Sequence, residues 1–180
     1  MYKPIQMLKV TALGALLVSG SVAAAATSAD LLKCQKGVES QIRGFTGFVL
    51  TKVQGCAEKV VNCKLANEID AVDPTSCLAA ASTACSGIPT DVSSSQTTRR
   101  DKVILKCGLI PFMELEQYVA GLGFFNVASA CSAANVNALM DCIFTDSRCA
   151  TEHQVFVIDP RAQDSLTTAG IAASFPCVGP

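Results

Sequence analysis

Apolar residues in the first third of the chain recur at the pitch of an α-helix. Cys34, Val38, Ile42, Phe45, Val49, Val53, Cys56, Val60 and Cys63 follow one another in steps of three or four. Their mean step is about 3.6, the helical repeat. Lys36, Glu39, Arg43, Lys59 and Lys64 fall off this stripe, where a helix meets solvent. Gly37, Gly44, Gly47 and Gly55 interrupt it, each at a cost of about 1 kcal/mol relative to alanine in a helix interior. Either they admit a neighbouring helix closely or they fray this one.

Proline, glycine and capping residues punctuate the rest. The first helix is predicted to stop before Asp73-Pro74, where Asp73 suits an N-cap and Pro74 a first helical position. A second helix is expected from Pro74 to about Ser86, ended by Gly87 with Pro89 beyond. Thr90 to Thr98 reads as a polar loop, with Ser93 and Gln96 as a capping box for a third helix ending at Cys107. Pro111 opens a short helix through Ala120, and another covers Val136 to about Glu152. Val155-Phe156-Val157-Ile158 fits either an extension of that helix or a short strand. Asp159-Pro160 repeats the cap-and-proline signal and starts a last helix toward Ala173. Cys56, Cys63, Asp73 and Pro74 recur 86 positions later as Cys142, Cys149, Asp159 and Pro160. Two related halves or repeated use of one helix-turn-helix grammar would produce this, and the second is preferred.

The start of the chain changes the picture from a helical protein to an exported one. Lys3 and Lys9 precede the short apolar run Val10 to Val18, and small residues continue to Ala26, with Ala24-Ala25-Ala26 as an A-x-A cleavage site. The run is roughly half of what spans a bilayer. Residues 1–26 therefore read as a signal peptide, and residues 27–180 as one domain with sub-units of about 27–108 and 109–180. Removing Lys3 and Lys9 leaves 12 basic against 15 acidic residues. A balance so close to neutral argues against a nucleic-acid partner, and no later run is apolar enough for a transmembrane segment. Periplasmic or secreted location follows.

All ten cysteines lie after residue 26, so five disulfides are expected. There is no C-x-x-C and only one histidine, so no metal site and no cofactor is expected. Cys63 with Cys77, Cys56 with Cys85 and Cys34 with Cys107 have residue numbers summing to 140, 141 and 141. An antiparallel hairpin pairs positions of constant sum, and here its turn is centred on Asp70-Ala71. Cys56 and Cys63 lie about 10 Å apart on one helix, too far to bridge each other. The difficulty is the break from Gly87 to Thr98, which must bulge out while register is kept. Among the remaining four, Cys131 reaches Cys142 with less backtracking than Cys149. Cys131–Cys142 with Cys149–Cys177 is therefore preferred.

Catalytic signals are thin. His153 stands near a helix end, and Glu114 and Glu116, two apart, face different directions on a helix. No nucleophile elbow, zinc-binding helix or phosphate-binding glycine loop occurs. The uncharged stretch from Gln117 to Met140 contains Leu122, Phe124 and Phe125. The simpler reading has the phenylalanines fill the core between the halves. The sharper one makes the three residues an apolar surface for a lipid or partner protein. Arg99-Arg100 reads as part of the solvated loop.

Cys34-Gln35-Lys36, Leu122-Gly123-Phe124 before a cysteine, and Cys142 to Glu152 followed by Pro160-Arg161 resemble a group of exported, cysteine-rich helical bacterial proteins of no known activity. The likeness spans most of the chain in spacing and few residues in identity. Members often carry a second cysteine soon after the position of Cys142, where Thr145 stands here. The resemblance implies export and helicity alone. The expected fold is all-α, built of disulfide-stapled antiparallel helical hairpins. The expected function is non-enzymatic: a binding or structural protein with an unknown protein or apolar small-molecule partner. A carrier of an apolar ligand is the alternative, and an enzyme of unrecognised class comes third.

Overall fold

The computed structural model describes residues 26–117 and 121–178. The expected signal peptide and its processing site fall outside these apart from Ala26, as does Ala120; the helix expected to run from Pro111 to that residue stops at Glu116, where Gln117 turns extended. The protein is all-α, without strands among the described residues. Its spine is α1, Ser28–Asp70, 43 residues long and about 64 Å from end to end. Thr27 caps it: its hydroxyl accepts from Asp30 N–H, and the Asp30 carboxylate accepts from Thr27 N–H and Oγ1–H. Of the nine stripe positions eight are buried, and Ile42 packs against the core half-exposed. The helix ends where the cysteine arithmetic centres the turn, with Ala71 in the left-handed region at φ 54°.

The chain returns along α1 as two helices, α2 (Thr75–Cys85) and α3 (Ile88–Cys107), separated by Ser86 and Gly87 alone. The polar stretch Thr90 to Thr98 is thus helix and not loop. The helix starts at Ile88 with Pro89 in its first turn, so Ser93 and Gln96 form no capping box. Polarity misleads here because burial is concentrated at Ile88, Val92, Val103 and Cys107. Between them the hydroxyls stay compatible with a helix, as when Thr97 Oγ1 donates to the Ser93 carbonyl four residues back. With only a two-residue break, nothing bulges out of the return arm. Cys63–Cys77, Cys56–Cys85 and Cys34–Cys107 bridge the arms at Cα separations of 5.7, 5.6 and 4.9 Å.

The rest of the chain completes the wrap around α1. A short α4, Phe112–Glu116, is followed by Leu122-Gly123-Phe124, which turns back over it. Gly123 N–H donates to the Gln117 carbonyl and Phe124 N–H to that of Leu115. Gly123 has φ 70°, a conformation that favours glycine. Then come α5, Phe125–Ala130, and α6, Val136–Ile158, the latter capped by the Asn135 side chain on Ala138 N–H. Val155 to Ile158 are the last turn of α6, with Val155 buried, so the helix outruns its expected end at Glu152. Phe45 and Phe144 meet edge-to-face at 5.4 Å, both fully buried. Such a pair adds about 0.5–1.5 kcal/mol beyond its burial.

The last helix, α7, covers only Ala162–Thr168, and a 3-10 turn at Ala172–Ser174 takes the place of its expected continuation to Ala173. Arg161 and Asp164 pair with Glu68 and Lys64 near the end of α1, and Ser82 of α2 donates to the Ala169 carbonyl. Since Phe144 sits beside Phe45 and α7 beside Lys64, α6 runs in the same direction as α1. The second half of the chain therefore packs on the first around one core. Cys131–Cys142 and Cys149–Cys177 close it, with Cα separations of 5.9 and 5.1 Å. No helix among the described residues is long and apolar enough to cross a membrane.

The two Asp-Pro signals share one local device. Asp73 accepts from Thr75 N–H at 3.0 Å, and Asp159 from Arg161 N–H at 2.9 Å. The N-cap positions are Pro74 and Arg161, so Asp73 and Asp159, expected to be the N-caps themselves, act from one and two residues before them. The likeness between halves stops there. Cys56 pairs forward to Cys85, whereas its counterpart Cys142 pairs backward to Cys131.

Two measurements test this fold. Gln96→Pro lies inside α3 and should cost about 3 kcal/mol or more by denaturant unfolding, whereas a loop would absorb it. Hydrogen bonding and charge from Lys64 hold Asp164 below the usual carboxylate range. That pairing supports the fold above the ordinary aspartate pKa and is lost as pH falls through the lowered value. In an NMR titration Lys64→Met should move the Asp164 midpoint up; an unmoved midpoint rules the pair out.

Candidate functional site

On α6 the pair Arg148 and Glu152 is one helical turn apart, flanking Cys149. Oppositely charged residues at this spacing face the same way. The Glu152 side chain is only 1 % exposed, so its charge requires partners. One oxygen takes Arg148 Nε at 2.6 Å, and the other takes the backbone N–H of Cys177 at 3.1 Å. Arg148 also donates to the Ser174 carbonyl, and its guanidinium lies 5.5 Å from the centre of the Phe175 ring. Arg148, Glu152 and Ser174, with Thr145 and Pro176, line a cleft of about 230 Å³ next to the Cys149–Cys177 bridge. Both carboxylate oxygens of Glu152 are committed to the fold. Chemically, the arrangement clamps the C-terminal segment onto α6.

Apart from their disulfides, the residues singled out by the sequence do not converge on this cleft. Leu122 and Phe124 are half-buried and pack against the core. Phe125 is 53 % exposed at the start of α5, so the two phenylalanines do not together fill the space between the halves. Glu114 accepts the Ala26 N–H at 3.0 Å, fixing the approach to α1. His153 lies within α6, exposed, 6.3 Å from the Phe156 ring. Cys131, Cys142 and Asp146 gather their ligand-type atoms within 4.8 Å of one another, but the two sulfurs form a disulfide and offer no thiolate to a metal. All ten cysteines are paired.

A second concave surface lies on α3. Ser94, Ser95, Thr98, Arg99 and Lys102 line a cleft of about 270 Å³. Arg99 Nε donates to Ser95 Oγ at 3.2 Å. Arg99 and Arg100 point to different neighbours: Arg100 reaches Asp141 on α6, while Arg99 lies against Gly44 on α1. Sequence reasoning missed both clefts. The Arg-Glu spacing on α6 was a readable signal for the first. The second was hidden by reading Thr90 to Thr98 as a loop.

Comparison with protein-family models, curated proteins and solved structures finds no match.

Breaking the clamp is testable. Glu152→Ala removes the carboxylate and leaves Arg148 Nε and the Cys177 N–H without their acceptor. Loss of one partner of a fully buried pair costs about 3–5 kcal/mol, and Arg148 keeps some exposure, so about 2–3 kcal/mol is expected in urea unfolding. A loss below about 0.5 kcal/mol would show the pair to be ornamental, as exposed pairs are.

Proposed function

We propose that the protein is an exported, non-catalytic binding or structural protein of the periplasm or extracellular space, made rigid by its cross-links. The observation that carries this reading is the pairing of all ten cysteines across one helical core. Cross-links of this density persist in oxidising compartments and fix surfaces in place without help from a ligand. The polar groups that are buried support the same reading. Glu152 commits both oxygens to holding the C-terminal segment, as described above. The resemblance to exported cysteine-rich bacterial proteins adds to the case for export.

A second reading, a carrier of an apolar ligand, draws on Phe125, half-exposed beside the core-packed Phe124 and Leu122. Native mass spectrometry of the protein purified from its own host separates the two. The expected spectrum starts after the signal segment, lacks all ten thiol hydrogens, takes up no alkylating agent and carries no lipid. Reactive thiols would overturn the rigid exported frame, and a stoichiometric lipid adduct would favour the carrier.

A further inference from the structure

We propose that the cleft on α3 around Arg99 binds a phosphomonoester-type oxyanion. The inference names the ligand class for the binding reading above and rests on it. Arg43, Arg100, Arg148 and Arg161 each meet a carboxylate, whereas Arg99, the fifth arginine, meets none among the described residues. It is nonetheless held in place. Nε is fixed on Ser95 Oγ at 3.2 Å. On the other side, the guanidinium lies so close to α1 that a Cβ at Gly44 would come within 2.3 Å of Nη1. Lys106, seven residues on, lies in the same way over Gly37, seven residues before Gly44. The two glycines thus work as seats for two cationic side chains, in the antiparallel register that the disulfides set. By contrast, a Cβ at Gly47 or Gly55 would meet nothing within 4 Å.

The lining of the cleft suits an anion of several oxygens. A guanidinium and the Lys102 ammonium supply charge, and the hydroxyls of Ser94, Ser95 and Thr98 supply further hydrogen-bond donors. No carboxylate lines it. Arginine's planar fork matches phosphate oxygens in pairs, and a fork already immobilised loses less freedom on binding. The ester has two sources, a soluble phosphomonoester or the monoester headgroup of a phosphatidic acid lipid, and they share this chemistry.

The test titrates the oxidised, processed protein with phenyl phosphate, and separately with phosphatidic acid vesicles in a phosphatidylcholine background, at fixed ionic strength. Saturable binding to either probe is expected, by NMR shifts at Ser95, Thr98 and Arg99 or by vesicle sedimentation. Arg99→Met should weaken it about tenfold or more, since a charge-assisted fork is lost. Gly44→Ala should weaken it too, by unseating Arg99 with every charge retained. Lys102→Gln should weaken it several-fold. Circular dichroism melts report whether each variant still folds, and Gly44→Ala carries the test if Arg99→Met does not. Binding of phenyl phosphate assigns the site to soluble esters; binding of vesicles alone, lost in Arg99→Met, assigns it to headgroups. No saturable binding, or equal binding by all variants, overturns the site. Such a failure with all thiols still paired leaves the rigid binding frame standing, whereas free thiols would bring that down separately.

Discussion

The packing of the later helices depends on the antiparallel register between α1 and the α2–α3 arm, which three disulfides hold covalently. Cysteine pairs of nearly constant residue-number sum fix how far one arm can slide along the other: not by a turn, not even by a residue or two. In a helix pair without such ties, ridges and grooves tolerate several alternative registers. Here the choice is made once, and it sets which side chains face each other from Cys34 to Cys63, along about 44 Å of helix. The packing of α6 and α7 is built on that choice. Phe144 needs Phe45 presented at one height, and Arg161 and Asp164 need Glu68 and Lys64 near the far end.

The register also explains why glycines sit in the middle of a long helix. A 43-residue helix with four glycines is poor by propensity alone. Two of the four receive side chains from α3, Lys106 over Gly37 and Arg99 over Gly44. The lost propensity is offset by what those seats hold, and by a continuous buried stripe on the adjoining face. Gly47 and Gly55 have no such partner, and nothing in the structure explains them.

How much of this was legible in the sequence depends on how far each signal extends. The stripe from Cys34 to Cys63 repeats over eight steps, so chance variation at Ile42 does not blur it. The cysteine sums combine three independent pairs, and their centre falls at the observed end of α1. Signals confined to a few residues fared worse. Thr90 to Thr98 looked like a loop because serine and threonine favour turns, yet Val92 and Val103 bury α3 against its neighbours and override that preference. Val155 to Ile158 were undecidable over four positions, and Val155 facing the core makes them helix. The seating of Arg99 on Gly44 was beyond reach: the cysteine sums supply the register, but the stretch leading up to Arg99 reads as loop, and the seat needs it as helix. Phe125 looked like core by composition alone, and only its place at the start of a short helix leaves it exposed.

The nesting of the first three bridges has a consequence for how the chain arrives at its fold. Their partners are 14, 29 and 73 residues apart. Short loops close at less entropic cost, so Cys63–Cys77 is the pair favoured to join first. Once it has joined, the stretch left to close between Cys56 and Cys85 is only two short flanks, seven residues on one side and eight on the other. Each bridge thereby shortens the search for the next, and the hairpin zips outward from Asp70-Ala71. The N-terminal cysteine is the first to be synthesised and the last of the six to find its partner. Until then Cys34 stays unpaired, and the helix protects it from its nearest rival. Cys56 lies 22 residues along α1, about 33 Å away, where Cys34 has no means of reaching it.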